Sequence, residues 1–545
     1  MLKIGDIIEV EIEKIVFGGE GLAYYNQIVI FVPLSAIGDR LQVKIISVKK
    51  TYARGLIEKI LLPSKDRITA EKISFEDNSG CDFNHLKYEK QLEYKTKMLE
   101  EMFFSISKID IKPIYNGIVP SLEIKNYRNK VAQPFIKIKD KIYLGFYKRK
   151  SHDTFAVEED LLKSDVAKKV EEQFLNELNK EKFTVYNEKN HTGFLKSLII
   201  RNNRKGEAML CVVINKTSLL PKLKKVLARI YEENSFIKSI YISIKEKKDN
   251  IILGEKNILL FGEKYISENI FSINFKIYLD SFFQINVKQV EKLYNTAYSM
   301  LYEVNNMNII DAFSGTGTIG MILAKKYKKV YCIESVASSV KSAIETAKEN
   351  GIKNIEFICA KVENSIDKIL KKENIDSIIF DPPRKGLEKS VIEAVANKKI
   401  KNIIYISCEP SRFARDLNMF IEKGYKLKKI TAVDMFPNTH HVEVITLLSK
   451  LDFKKYISVE LPVDDMDLTS AESKATYKQI QNYVLEKFGF KVSTLYIAQV
   501  KKKHGLEVRE HYNISKNEKQ KIPQCPIKKE EAILDALKHF KMVYY

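Results

Sequence analysis

The sequence predicts a multidomain fold: a small β-barrel, a central α+β domain, a Rossmann-like α/β domain and a small, mostly helical C-terminal module. Three observations predict it. Residues 1–62 alternate in the strand period, strands and helices alternate strictly from Met307, and the composition shifts after about Leu451. A chain of 545 residues with 45% hydrophobic content can bury several cores rather than one oversized one.

Turn signals at Gly18-Gly19, Asn26 and Gly38-Asp39 punctuate the first segment, as a small closed barrel requires. Tyr24, Tyr25 and Phe31, set among lysines, suit base stacking if exposed and a barrel core if not. Residues 63–275 form the central domain. A helical pattern from Tyr88 to about Phe104 opens it, with a face that can pack on the domain downstream. From Lys112 to about Ile273, β-like segments alternate with shorter helices, including the amphipathic stretch Asp165 to Leu178. Phe194 to Arg201 and Glu207 to Asn215 read as a hairpin turned at Asn203 and Gly206.

Residues 276–450 form the α/β domain. NIIDAF, VYCIE, IEFICA, SIIFD and NIIYISC alternate with helices, the signature of a doubly wound parallel sheet. KITAVDMF and VEVITLLS follow with only Pro437 to His441 between them, too few residues for a helical crossover. They are expected to pair antiparallel at the sheet edge and bring the sheet to seven strands. Residues 451–545 open with the acidic PVDDMD and continue with SAESKATYKQIQNYVLEKFGF, where Ser470 and Glu472 mark a helix start.

The formal net charge is +21, with lysine far ahead of arginine. A polyanion such as RNA or DNA is the economical partner, and a general lysine bias is the bland alternative. The chain begins at once with strand-like MLKIGDIIEVEIEKI, and no apolar run is long enough to cross a bilayer, so a soluble, cytoplasmic monomer without membrane contact is expected. Cysteines stand at 81, 211, 332, 359, 408 and 525, with no pair at metal-ligand spacing. Cys211, Cys332 and Cys359 lie in apolar runs and read as small core residues.

Asp311-Ala-Phe313-Ser-Gly315-Thr-Gly-Thr318-Ile-Gly320 follows a strand and opens a helix, so a ligand can approach its backbone closely. Glu334 ends the next strand, where a carboxylate can accept hydrogen bonds from a ribose diol. The pair fits NAD or S-adenosylmethionine. The antiparallel hairpin and the lack of a second mononucleotide half favour the methyl donor. Phe380-Asp381-Pro-Pro-Arg384-Lys-Gly386 closes the fourth strand at the carboxyl edge. Amino-methyltransferases use a similar loop with an aromatic where Arg384 stands, so this motif alone leaves the accepting atom open.

The fifth strand ends Tyr405-Ile-Ser-Cys408-Glu-Pro, placing a thiol at the sheet's carboxyl edge beside a helix start, a position expected to lower its pKa. A buried core cysteine is the alternative. Glu443 enters the last strand between Val442 and Val444 and is carried to the same edge. Its alternative is a solvent-facing edge residue. Together they suit uracil C5, which is too poor a nucleophile to take a methyl group directly. Thiolate addition at C6 makes C5 nucleophilic, and a base must then remove the C5 proton.

In their order, FDPPRKGL, YISCEPSRFARDL and FPNTHHVEVITLL, with Phe282-Phe-Gln284-Ile-Asn286 ahead of them, resemble the uracil-C5 RNA methyltransferase family, and residues 1–62 resemble a TRAM domain, an OB-like RNA-binding barrel. The resemblance implies a class I fold with S-adenosylmethionine as donor. It implies Cys408 as nucleophile, Glu443 as base, and Gln284, Phe313, Gly315, Thr318, Glu334 and Asp381 around the donor and uracil. The barrel and SGCDFNHLKYEKQLEYK are similar to the 23S ribosomal RNA branch, which implies rRNA as partner, with transfer RNA as the alternative. That branch carries a cysteine cluster of which only Cys81 remains, with Asp160 where another thiol would stand, so no iron-sulfur cluster is expected. Ser314 and Asn438 are smaller departures. A non-catalytic RNA assembly factor is the competing class, and methylation of an exocyclic amine through DPPR the competing chemistry.

Overall fold

The computed structural model describes residues 2–68, 80–148, 153–157, 160–249, 251–301, 307–450, 477–504 and 525–540. Contacts divide the chain into two units, Met1–Asp452 and Phe453–Tyr545. The first begins with a six-stranded sheet in the order Ile7–Glu11, Arg40–Val48, Tyr52–Leu62, Ile28–Val32, Gly21–Tyr25, Lys14–Ile15. Its two outermost strands are consecutive in the chain. One bent segment therefore pairs with Arg40–Val48 at one end and with Gly21–Tyr25 at the other, curling the sheet around Val10, Ile30, Leu41 and Val43. The aromatic platform is narrower than the sequence suggests. Tyr24 is exposed, but Tyr25, its neighbour on a strand whose side chains alternate, packs on the core. Phe31 lies edge-on to Tyr52 beneath the Arg54 guanidinium.

The central sheet has seven strands, ordered Thr154–Ala156, Lys141–Tyr147, Lys130–Ile138, Leu195–Asn202, Ala208–Ile214, Ile237–Ile244, Lys256–Gly262. Leu195–Asn202 and Ala208–Ile214 form the expected hairpin, closed where the Gly206 N–H donates to the Asn203 carbonyl. The helix Asp165–Asn179 starts at Ser164, whose hydroxyl accepts from the Ala167 N–H, and buries Val170 and Phe174 with Leu223 and Val226 of the helix Leu220–Glu233.

The third sheet has eight strands: Ile355–Cys359, Lys329–Glu334, Asn308–Ala312, Ser377–Phe380, Asn402–Ser407, Glu443–Lys450, Tyr425–Val433, Tyr115–Val119. The first five are parallel. Glu443–Lys450 then inserts antiparallel between Asn402–Ser407 and Tyr425–Val433. The hairpin therefore forms as expected, but it does not hold the edge. Tyr115–Val119, which the sequence places in the central domain, pairs parallel with Tyr425–Val433 and takes that position. A strand's period reports its burial and says nothing of its partner. The helix Tyr88–Ser107 joins the same body, with Phe103 5.9 Å from the Phe413 ring and the Ser107 hydroxyl donating to the Ala414 carbonyl.

That helix also delivers Lys95 into the interior, where its ammonium lies 2.6 Å from Asp434 and both side chains are fully buried. Burial pulls the Lys95 pKa below its ordinary value, and Asp434 opposes the shift. The Tyr88 hydroxyl donates to the second Asp434 oxygen, so the carboxylate joins helix and sheet. Asp434→Ala strands a buried cation and is expected to destabilise this unit by about 3–5 kcal/mol. Urea unfolding checks it, and the Lys95→Met/Asp434→Ala double variant should recover part of the loss.

Cys211 and Cys332 are buried strand residues, whereas Cys359 is exposed, because Ile355–Cys359 is the sheet's outermost strand. No helix among the described residues is long and apolar enough to cross a membrane. In the second unit, Tyr477–Phe488, Thr494–Lys503 and Ile527–His539 share a core of Ile480, Val484, Ile497, Val500 and Ile533. The helix start expected at Ser470 and Glu472 lies outside the described residues.

Candidate active site

The carboxyl ends of Asn308–Ala312, Ser377–Phe380 and Asn402–Ser407 open onto a cavity of about 660 Å³, the edge at which ligands bind in such sheets. Gln284, Phe313, Gly315, Thr318, Glu334, Asp381, Cys408 and Glu443 all line it.

The glycine-rich loop is shaped by close packing. Fully buried Asp311 accepts the Gly320 N–H at 2.7 Å, pinning the start of the helix Thr318–Leu323 to the strand before it. A Cβ on Gly320 would come within 2.3 Å of the Cys332 sulfur, so only glycine lets the helix lie this close to the sheet. Glu334 is fixed at the cavity wall by the Gly315 N–H at 3.0 Å and the Val336 N–H at 2.8 Å, one to each oxygen. The Ser335 hydroxyl also donates to the Val336-bonded oxygen, at 3.2 Å, so the Gly315-bonded oxygen keeps a lone pair for a ribose hydroxyl. The loop and this carboxylate fit the nucleoside end of S-adenosylmethionine. Glu334→Ala should weaken its binding on the order of 10- to 100-fold, as the loss of a charged hydrogen bond would, measurable by isothermal titration.

Ser407 is paired with Val444 across the last rung of the antiparallel ladder. One residue further on each strand come Cys408 and Glu443, so the register sets thiol and carboxylate opposite one another in the cavity lining. Glu443 is 4% exposed, and its Oε2 has no hydrogen-bond partner. Burial, reinforced by the charge of Asp381, pushes its carboxyl up to about 8, with Arg384 opposing. Burial likewise pushes Asp381 up to about 7. The thiol differs from the sequence expectation. Burial first, then Glu443 and Asp381, push Cys408 up to about 12, against the pull of Arg384. The helix Pro410–Glu422 does begin two residues on, but burial and the neighbouring carboxylates act against the thiolate.

The cavity also gathers residues that the sequence reading did not single out. Arg128 arrives from the stretch just before Lys130–Ile138, where the Asn129 side-chain amide donates to the Gln284 carbonyl. Tyr294 is buried on the helix Val287–Ser299, among Asp381, Asp311 and Glu443, which together with burial hold its hydroxyl neutral. His441 lines the cavity as a neutral imidazole, lowered to about 4 by burial and then by His440 and Arg384. The neighbouring His440 ring lies 4.1 Å away and is tied to Asp82 at 2.6 Å. Helical periodicity could have flagged Tyr294 as buried, but nothing local marks Arg128. Asn438 serves the scaffold, holding a left-handed turn (φ 64°) through bonds with Gln91.

Cys81 packs with Tyr127 and Leu162, and the Asp160 carboxylate accepts the Leu162 N–H. The sequence has no other cysteine before Cys211, so these residues do not fit a four-thiolate iron-sulfur cluster.

Residues 2–57 match the TRAM domain, and residues 87–451 match the family described as tRNA (Uracil-5-)-methyltransferase. An uncharacterized RNA methyltransferase of Fusobacterium nucleatum is 51% identical over 451 residues, covering 83% of this chain and 97% of that protein. Another, of Clostridium acetobutylicum, is 35% identical over 439 residues, covering 80% and 95%. The crystal structure of Pyrococcus abyssi tRNA (uracil-54, C5)-methyltransferase in complex with S-adenosyl-L-homocysteine aligns with a TM-score of 0.64 at 27% identity, covering 81% of this chain and 100% of that one. A cysteine opposite a buried glutamate could serve several chemistries. With the match running unbroken through both residues, the chain belongs to the tRNA (uracil-5-)-methyltransferase family, whose chemistry is S-adenosylmethionine-dependent methylation of uracil C5 in RNA.

Proposed function

We propose that this chain methylates C5 of a uridine in ribosomal RNA, the 23S molecule first, with Cys408 as nucleophile and Glu443 as base. The opposition of these two residues across neighbouring strands, both lining the cavity, carries the reading. S-adenosylmethionine, when bound, supplies the methyl group as an electrophile. Gln284, Phe313, Gly315, Thr318, Glu334 and Asp381 are the residues that would hold it and the uracil.

The Cys408 thiolate adds to C6, and the C5–C6 π electrons move toward the C4 carbonyl, leaving C5 nucleophilic. Once C5 is methylated, Glu443 takes the remaining C5 proton. The electrons of that C–H bond restore the C5–C6 double bond and expel the thiolate. Arg384 favours the thiolate, while burial and the two carboxylates disfavour it. Both working forms, ionised Glu443 and the thiolate, increase with pH. With proton removal by Glu443 limiting turnover and its carboxyl near 8, the methylation rate is expected to rise from pH 6 to pH 9, approaching tenfold per unit below 8. Methyl incorporation at constant ionic strength checks this, and a flat profile would remove Glu443 as the limiting base.

The amino-terminal barrel and the SGCDFNHLKYEKQLEYK segment support the ribosomal reading. A transfer RNA substrate is favoured by the likeness to the Pyrococcus abyssi tRNA (uracil-54, C5)-methyltransferase, which is matched over its whole length. Total RNA from a deletion strain, incubated with enzyme and labelled donor, separates the two. Label in 23S rRNA at 5-methyluridine supports the proposal, and label confined to tRNA overturns it.

A further inference from the structure

A second cavity, of about 550 Å³, opens on the central sheet and shares no residue with the first. Two strands and a turn build it: Ala132 to Pro134 from Lys130–Ile138, Lys196 and Ser197 from Leu195–Asn202, and Lys245 to Asp249 after Ile237–Ile244. Two features make it more than a cleft. Gln133 lines it at 3% exposure, and its side-chain oxygen accepts no hydrogen bond. A buried amide oxygen left unmet costs about 1–3 kcal/mol, and a ligand's N–H would satisfy it. Around it stand Tyr147 and Tyr186 with Lys196, Lys245, Lys247 and Lys248, against the carboxylates of Glu188 and Asp249. The Lys196 ammonium sits 4.0 Å from the centre of the Tyr186 ring, whose hydroxyl is 2.8 Å from His191 Nδ1, so the ring's orientation is fixed. Aromatic faces beside a basic rim are how single-stranded nucleic acids are held, the base on the ring and the phosphate on the cations.

We propose that this cavity binds a second, unpaired nucleotide of the RNA substrate, its base between Tyr147, Tyr186 and Gln133 and its phosphate on Lys247 and Lys248. The inference rests on the RNA-methylation reading above. The two cavities are close along the chain: Arg128 lines the first and Gln133 the second, and five residues reach at most about 18 Å. One strand of RNA must then reach both cavities, a span at most on the order of that distance, or roughly three or four nucleotides.

The test uses the full chain carrying Lys247→Glu and Lys248→Glu, both at exposed positions. Lys224→Glu/Lys225→Glu, exposed on the helix Leu220–Glu233, makes the same charge change elsewhere. The first pair should raise the KM for RNA on the order of tenfold, with kcat and donor affinity unchanged, and the control pair should raise it less than about threefold. RNA carrying 4-thiouridine should photo-crosslink to a peptide containing Tyr147 or Tyr186. Equal effects of the two pairs, or no effect of the first, overturn the inference. So does protection of the crosslink by free AMP or UMP without any KM change, which would assign the cavity to a mononucleotide. A wild-type chain that methylates no RNA would sink the functional reading as well, whereas active wild type with indifferent variants sinks only the second site.

Discussion

Cys408→Ala is expected to abolish 5-methyluridine formation, a loss on the order of 10⁴- to 10⁶-fold, because no other residue lining the cavity carries a thiol. The fold should survive it. Cys408 is half-buried beyond the end of its strand and outside the hydrophobic clusters, so removing the sulfur leaves no core cavity. Donor affinity should stay near wild type, since the glycine-rich loop and Glu334 stand on other strands. RNA containing 5-fluorouridine gives the decisive readout. Addition of the thiolate and methylation at C5 leave a fluorine that a base cannot remove, so wild type should form an adduct that survives denaturing electrophoresis, and Cys408→Ala should form none. An alanine variant that still methylates uridine would overturn the mechanism. A wild-type protein that binds such RNA without an adduct would instead favour a non-catalytic RNA-binding role.

Glu443→Gln should fail at the other end of the reaction. The substitution keeps the shape of a nearly buried side chain but removes the base, so turnover is expected to fall on the order of 10²- to 10⁴-fold. Addition and methylation precede the step that needs Glu443, so the variant should accumulate the enzyme–RNA adduct on ordinary uridine RNA, with the methyl group already in place. Mass spectrometry of the adduct distinguishes the outcomes. A methylated nucleotide attached to Cys408 fits a base acting last. Free, unmodified RNA would place Glu443 before addition, in activation of the thiol. The variant exchanges one buried polar group without a full set of partners for another of the same shape, so its thermal stability should stay near wild type.

The sequence carried the residues of this site because their positions are local facts. Cys408 ends a strand, Asp381 ends the strand beside it, and the short Pro437 to His441 connection forces Glu443 back to the same edge. What stayed hidden depends on distant chain. Arg128 is an ordinary residue of the central region until its neighbour Asn129 meets Gln284. Cys359 has the apolar neighbours of a core strand, but only the strand order shows that strand to be outermost. The direction of the Cys408 shift was missed for a related reason. Chain neighbours supply a helix start, whereas the burial that raises the thiol, and then the carboxylates of Glu443 and Asp381, come with other strands.

The edge strand Tyr115–Val119 also sets the order in which the protein can be assembled. Tyr115 pairs with Ile430, synthesised roughly 300 residues later. At about 5–20 residues per second, this short segment waits on the order of 15–60 s for its partner while the central sheet can already form around it. Its exposed backbone in that interval is a site where a nascent chain can pair wrongly or recruit a chaperone. A fragment begun at residue 276, where the sequence alone would cut the catalytic domain, lacks this strand and the Tyr88–Ser107 helix. Such a fragment is expected to aggregate, and co-expression of residues 80–148 as a separate piece should rescue its solubility.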